Sequence, residues 1–172
     1  MLYEFSSPLP HQHGAIEALL DTSFGVDRLG KTSYRFRQAV GPIAQLGMVA
    51  HHGARLVGII AYWPVEIGEQ AVPALLMGPL AVEPSLRGHG IGVTLIRRTL
   101  AKAARAGHRT VVLVGDADYY ARFGFVAAAS RAIRMPGEAD RLMVKFLAPE
   151  PRGLVEGTVR ACKPARRNVD AA

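Results

Sequence analysis

Hydrophobic positions along the chain change period several times, and each change predicts an element. Leu2 to Phe5 alternates weakly and is closed by Ser7-Pro8-Leu9-Pro10, which predicts a first strand. From Gly14 to Phe24 the apolar residues Ile16, Leu19, Leu20 and Phe24 fall at helical spacing. A second, more polar helix is expected over Ser33 to Val40, stopped by Gly41-Pro42. Met48 to His52 and Leu56 to Pro64 flank Gly53-Ala54 and read as a hairpin. Val72 to Val82 continues the strand pattern, but Pro73 and Gly78-Pro79 interrupt it. Proline cannot donate to a ladder, so this strand is expected at an edge or with a bulge.

The strongest helical pattern runs from about Gly90 to Ala106. Ile91, Leu95, Ile96, Leu100 and Ala103 share one face, Arg97, Arg98, Lys102 and Arg105 the other, and Gly107 supplies the stop. Thr110 to Val114 is β-branched and apolar, the composition of a buried strand. A helix separates it from the preceding strand, so the two are expected to be parallel neighbours in a right-handed crossover. Ala127 to Ile133 and Leu142 to Leu147 are read as later strands joined through Pro136-Gly137. Beyond Pro149 the chain is basic and poor in bulky residues. Residues 1–148 are therefore expected to form one domain and 149–172 a basic C-terminal segment, with one short strand at Leu154 to Val159.

Between the strand ending at Val82 and the helix opening near Ile91 lies Glu83-Pro84-Ser85-Leu86-Arg87-Gly88-His89-Gly90-Ile91-Gly92. Glycines at alternate positions remove every second Cβ, so backbone N–H groups can approach a ligand closely. A helix starting there adds unpaired donors and the positive end of its dipole, a setting for phosphate or pyrophosphate. The spacing fits neither G-x-G-x-x-G nor G-x-x-x-x-G-K-[ST].

Composition narrows the reading. The 172 residues are 49% hydrophobic and 20% charged, enough for one globular domain with its own core. The longest apolar run, Leu56 to Trp63, falls far short of the roughly 20 residues that span a bilayer. The N-terminal Met1-Leu2-Tyr3-Glu4-Phe5 has no basic region followed by an apolar core, and Cys162 is the single cysteine. A cytoplasmic protein without an internal disulfide or membrane partner is expected. The net charge of +7 raises nucleic acid as a partner, but the basic residues are scattered and no binding signature accompanies them. His11 and His13 have no further ligands nearby, so no metal is expected.

Arg87-Gly88-His89-Gly90-Ile91-Gly92 resembles the Q/R-x-x-G-x-G/A pyrophosphate loop of the GNAT N-acetyltransferases. Tyr119-Tyr120-Ala121-Arg122-Phe123-Gly124-Phe125 resembles that family's short helix with its Tyr-x-x-x-Gly-Phe ending. Gly-Pro-Leu-Ala-Val ahead of the loop most resembles the YhbS-like acetyltransferases, and the likeness covers roughly Met48 to Val126. It implies an α/β (α+β) GNAT-like fold: a mixed sheet of about six or seven strands with a splayed, V-shaped slot, flanked by about four helices. It implies acetyl-CoA as co-substrate and no metal. Pantetheine would pair with Leu80, Ala81 and Val82, and the pyrophosphate would meet Arg87, Gly88, His89, Gly90, Ile91 and Gly92, with Phe123 also against the cofactor.

The implied reaction is transfer of an acetyl group to a primary amine of a small molecule or protein, by direct attack in a ternary complex; a homodimer is compatible with the family. Tyr120 matches the general acid near the thioester sulfur, although the adjacent Tyr119 leaves the register open. The first two helices flank the acceptor in the family, which brings Tyr34, Phe36 and Arg37 into consideration. Many members use a strand glutamate as base, yet Val72 to Val82 holds no carboxylate. Glu66, Glu69, Asp116 and Asp118 are the nearest in sequence, and holding the loop by accepting backbone N–H bonds is the more common use of an aspartate placed, like Asp116, at a strand end. The missing carboxylate motivates a second reading, a catalytically silent acyl-CoA sensor or interaction module.

Overall fold

The structure is a computed structural model that describes residues 2–30, 32–38, 40–138, 140–149 and 155–162. In chain order the elements are β1 (Glu4–Ser6), α1 (His13–Phe24), α2 (Thr32–Arg35), β2 (Met48–His52), β3 (Arg55–Ile67), β4 (Val72–Val82), α3 (Ile91–Arg105) and β5 (Thr110–Val114). Then follow α4 (Ala117–Ala121), β6 (Val126–Ala127), β7 (Ile133–Arg134), β8 (Leu142–Phe146) and β9 (Gly157–Ala161). The strand order is β1-β2-β3-β4-β5-β8-β6, with β9 also against β3 and β7 against β9. All pairings are antiparallel except β4–β5 and β7–β9. This is the expected mixed sheet with four α-helices. Its nine described strands exceed the six or seven expected, because the strand expected over Ala127 to Ile133 divides into the two-residue β6 and β7, and the short strand expected at Leu154 to Val159 forms as β9, with Leu154 outside the described residues.

Period-two alternation sends Leu75, Met77, Val111 and Leu113 to one core and Ala74, Leu76 and Val112 to another on the opposite face. On the first face, α3 buries Ile91, Leu95, Ile96, Leu100 and Ala103, the stripe its sequence predicts. Each such side chain contributes roughly 1.5–3 kcal/mol on burial. The stripe also carries Thr99, whose hydroxyl donates to the Leu95 carbonyl at 2.7 Å and therefore accepts from the Tyr62 hydroxyl at 2.8 Å. Helix α1 covers a third cluster, laying Leu19 and Leu20 on Val49, Ile59 and Ala81. Among the described residues no helix is long and apolar enough to cross a membrane.

Two expected elements differ. Helix α2 ends at Arg35, and the chain continues in single turns closed by Arg37 N–H to Tyr34 O (3.0 Å) and Gln38 N–H to Arg35 O (3.4 Å). This shorter path takes Phe36 into the core. The strand expected over Ala127 to Ile133 breaks into β6, a 3₁₀ turn over Ala128–Arg131, and β7. Ala127, Ala128 and Ala129 bring no β-branched or aromatic side chain that would favour a ladder. The Ser130 hydroxyl also donates to the Ala127 carbonyl at 2.7 Å, a local bond that competes with the ladder.

The feature that shapes the site lies in β4. Ile60 pairs with Leu80 but Tyr62 pairs with Met77, so Ala61 stands opposite both Gly78 and Pro79 in a bulge. Parallel pairing with β5 is confined to Leu75–Val111 and Leu76–Val112. Beyond Met77 the two strands part, and the edge of Leu80 to Val82 that faces β5 is unpaired. The splay is the V-shaped slot.

Candidate active site

A cleft of about 760 Å³ opens at the splay. Its floor is Leu80, Ala81 and Val82, one wall is the loop into α3, and the other is Gly115, Asp116, Tyr119 and Tyr120. Glu138 and Arg141 close it on the β8 side, and Ser23, Phe24, Arg28, Tyr34 and Arg37 on the side of α1 and α2.

The loop wall begins with a 3₁₀ turn over Pro84–Leu86, in which the Leu86 N–H reaches the Glu83 carbonyl at 2.9 Å. Gly88 and Gly90 then adopt φ of +87° and +79°, the left-handed region that side-chain-bearing residues enter only at a cost. Gly90 is the N-cap of α3, and no side chain caps the helix. The first-turn N–H groups of Ile91, Gly92 and Val93 thus lack intrahelical acceptors and carry the positive end of the dipole. That donor set fits a pyrophosphate without any cationic side chain.

The opposite wall is positioned by Asp116, the N-cap of α4, whose Oδ1 accepts from the Tyr119 N–H at 2.7 Å. Asp116 thus holds the turn, the structural use its sequence position allows. The Tyr120 ring packs against Gly115, where any Cβ would collide with its Cε2 and Cδ2 edge. Tyr119 and Tyr120 meet edge to face, with centroids 5.0 Å apart and planes at 89°. Burial pushes the Tyr120 phenol up to about 12, reinforced by Tyr119 and Asp116 and opposed by Arg141. Burial also raises Tyr119, against the pull of Arg122, whose guanidinium carbon sits 4.7 Å from the ring centroid.

On the α1 side two arginines have contrasting surroundings. Arg28, 3% exposed, donates to Asp21 through Nε at 2.9 Å, to Glu17 through Nη2, and to the Tyr34 hydroxyl through Nη1 at 3.3 Å. Burial alone would lower its pKa, but the bonds to Glu17, Tyr34 and Asp21 outweigh it and hold the guanidinium charged. Arg37 instead stacks on aromatic faces, 4.3 Å from the Tyr34 centroid and 5.1 Å from Trp63, while its Nε and Nη1 are buried without a hydrogen-bond partner.

Of the residues singled out in the sequence, Tyr120, Leu80, Ala81, Val82, Arg87, Gly88, Gly90, Ile91 and Gly92 line this one cleft. His89 and Phe123 do not. The His89 imidazole Nδ1 lies 3.0 Å from the Tyr3 hydroxyl, and the His89 backbone N–H donates to the Leu86 carbonyl at 3.4 Å. Phe123 is buried beneath the tyrosines, 5.7 Å from Tyr119 and 6.4 Å from Tyr120. Tyr34 and Arg37 line the cleft, whereas Phe36 packs into the core beside Leu76 and Val112. Glu66, Glu69 and Asp118 are off the cleft lining. Sequence reasoning missed Glu138, Arg141 and Arg28; the only local signal was the turn at Pro136-Gly137 that presents Glu138.

The splayed sheet and uncapped glycine loop define an acyltransferase fold of the GNAT class, and comparison with known proteins agrees. The family model of the acetyltransferase (GNAT) domain matches residues 45–127. The Escherichia coli (strain K12) protein named uncharacterized N-acetyltransferase YhbS is 32% identical over 154 residues, which cover 88% of this chain and 91% of the relative. The chain belongs to the GNAT acetyltransferase family. A structure of YhbS from Escherichia coli in complex with CoA superposes with a TM-score of 0.80 at 30% identity, over 93% of this chain and 89% of that one. A GNAT family acetyltransferase from Brucella melitensis in complex with acetyl-CoA superposes at 0.70 with 27% identity, over 92% and 95%.

Proposed function

We propose that the protein transfers the acetyl group of acetyl-CoA to a primary amine by direct attack within a ternary complex. The observation that carries this reading is the convergence of three features on one cleft: the uncapped N-terminus of α3, the unpaired edge of β4, and the phenol pair of α4. Gly88, Gly90, Ile91 and Gly92 would hold the pyrophosphate, and Leu80 to Val82 the pantetheine arm. Acetyl-CoA supplies a thioester carbonyl that an amine can attack.

The chain's residues then have two tasks, to receive a proton from the amine and to ease departure of the sulfur. At a pKa of about 12, Tyr120 keeps its proton through the neutral range and presents an O–H donor. A thiol near 8.5 is the stronger acid, so complete transfer from Tyr120 is uphill by roughly 5 kcal/mol. Tyr120 therefore acts by donating a hydrogen bond that strengthens as the C–S bond breaks, with proton movement concerted with cleavage. A lysine-like amine has a pKa near 10.4 and attacks only when neutral. We place its base at Glu138, which lines the cleft, whereas Asp116 is occupied in capping α4.

Thiol release from acetyl-CoA across a panel of amines tests the reading. Turnover with formation of an N-acetylated product supports it. Tight CoA binding without turnover on any amine would replace it with the sensor reading, which the absence of a carboxylate from β4 motivates.

A further inference from the structure

Buried polar side-chain atoms without a hydrogen-bond partner number five among the described residues, and four surround one region: Ser23 Oγ, Arg37 Nε, Arg37 Nη1 and Trp63 Nε1. Ser23 and Arg37 line the main cleft. Arg37 and Trp63 line an adjoining hollow of about 300 Å³, and the two spaces share Arg28, Tyr34, Arg37 and Pro79 in their walls. An orphaned buried donor carries its full desolvation cost, so a cluster of them calls for an explanation, and a ligand that completes the bonds is one.

The surroundings specify the ligand's charge. Arg28 engages both α1 carboxylates, Glu17 and Asp21, with all three of its nitrogens in use. Neither carboxylate pairs with Arg37 among the described residues; burial lowers the Arg37 pKa, the charge and hydrogen bonding of the Tyr34 phenol favour its charged form, and the Arg28 cation opposes it. The guanidinium carbon lies over the Tyr34 and Trp63 rings, while Nε and Nη1 are buried without a hydrogen-bond partner. A guanidinium has two forked edges, Nε with Nη2 and Nη1 with Nη2. With Nε and Nη1 both unpaired, each edge retains a free donor. Nη2 itself sits 3.4 Å from where a Cβ on Gly78 would stand, so this cation packs against the β4 bulge that opens the slot. Arg37 and Trp63 thus offer donors to a small, planar, negatively charged group at the hollow, and Ser23 offers one on the main-cleft side.

We propose that the acceptor amine carries a carboxylate, and that this carboxylate docks on the Arg37 guanidinium with the Trp63 indole N–H beside it. The inference rests on the acetyl-transfer reading for the fate of the amine, but not for binding of the carboxylate. The reason for a guanidinium here is its fixed, planar donors: a carboxylate can accept from the unpaired N–H on either edge while the cation stays over the rings, and an ammonium at the same point would not hold that geometry. Arg37 is on this account a specificity-determining residue, with no part in the proton transfers.

The test pairs unbranched amino acids of increasing length with their amino amides as acceptors, using wild-type protein, Arg37→Met and Arg37→Lys. The best amino acid is expected to have a KM at least ten-fold below that of its amide. Arg37→Met should raise the KM of the acid at least ten-fold, to the level of the amide, with kcat and CoA affinity little changed. Arg37→Lys, which keeps the charge and loses the fork, should fall between and covers the case in which the methionine variant does not fold. Equal KM values for acids and amides, or equal losses for both in the variants, overturn the proposal. Calorimetric titration of CoA-loaded protein with the N-acetyl derivative of each amino acid gives a readout independent of turnover. Binding that weakens at least ten-fold in Arg37→Met while no amine is acetylated would retain the carboxylate site and reject acetyl transfer. Turnover of amines together with Arg37-independent binding of N-acetyl amino acids would do the reverse.

Discussion

The Tyr119 hydroxyl lies 3.1 Å from the point where a Cβ on Gly92 would stand, so the first turn of α3 and the α4 helix touch across the mouth of the slot. A residue larger than glycine at 92 would require the Tyr119 hydroxyl to give way by a few tenths of an ångström. The glycine spacing of the loop therefore serves two ends: Gly88 and Gly90 make the turn, and Gly92 admits the phenol.

Replacement of Gly90 by valine tests the loop. At φ +79° a β-branched residue is strained, and relief of that strain moves the N–H groups of the first turn. CoA affinity should fall at least ten-fold, about 1.4 kcal/mol, in a variant whose circular dichroism remains native. Unchanged affinity by calorimetric titration would remove the loop from the site. Arg87→Ala should cost less, because the donors assigned to the pyrophosphate are backbone groups.

Phenol titration tests the burial of the second wall. Tyr62, Tyr119 and Tyr120 all have raised pKa values, Tyr120 to about 12. A phenol raised in the folded state favours folding fully below its unfolded value near 10, and that contribution is lost as the pH climbs through 12. The ultraviolet titration should therefore show a late phase that coincides with alkaline loss of stability. Tyr120→Phe should reduce the amplitude of that phase. A titration complete by pH 10.5 in folded protein would contradict the burial.

Glu138→Gln tests the base. It should lower kcat at neutral pH by 10²- to 10⁴-fold, and the loss should shrink as the pH rises and more of the amine is neutral without help. A pH-independent loss, or none, would place the base elsewhere, and measurement of kcat from pH 6 to 10 distinguishes these outcomes.

Much of this site was legible in the sequence because it is set by short-range rules. The Gly78-Pro79 interruption marked the bulge, the alternate glycines marked the helix start, and the stripe from Ile91 to Ala103 fixed which face of α3 is buried. Tyr120 was found from its distance to Gly124-Phe125. What escaped depends on contacts between distant segments. Nothing near Arg37 in sequence shows that Asp21 and Glu17 are committed to Arg28, and nothing near Glu138 shows that its turn returns to the cleft. His89 has the same cause in reverse: it belongs to the loop, but Tyr3 engages its side chain away from the cleft. Strand β9 lies against β3, from Val65–Ala161 to Ile67–Val159, a pairing that the basic composition around it conceals.

The buried pair of Tyr62 and Thr99 offers a test of the fold away from the cleft. Thr99→Val leaves the Tyr62 hydroxyl without its acceptor at little cost in helix propensity, so stability should drop by about 1–3 kcal/mol. For a chain of this size each kcal/mol is worth about 2–4 °C in Tm. Adding Tyr62→Phe should recover part of the loss, since removing both partners leaves no orphan. Calorimetric melting of the two variants checks both statements, and additive losses would contradict the pairing.

The central claim is that this cleft catalyses acetyl transfer with Tyr120 as the donor to the departing sulfur, and single-turnover kinetics of Tyr120→Phe tests it most directly. The substitution keeps the ring that packs on Gly115 and deletes only the hydroxyl, so CoA affinity should be unchanged. The account predicts that acetyl transfer slows by 10²- to 10⁴-fold under conditions where product release cannot mask the step. Tyr119→Phe, run alongside, should retain most of the rate. A Tyr120→Phe enzyme that transfers acetyl at the wild-type rate would contradict the claim, by showing that the sulfur leaves without this phenol.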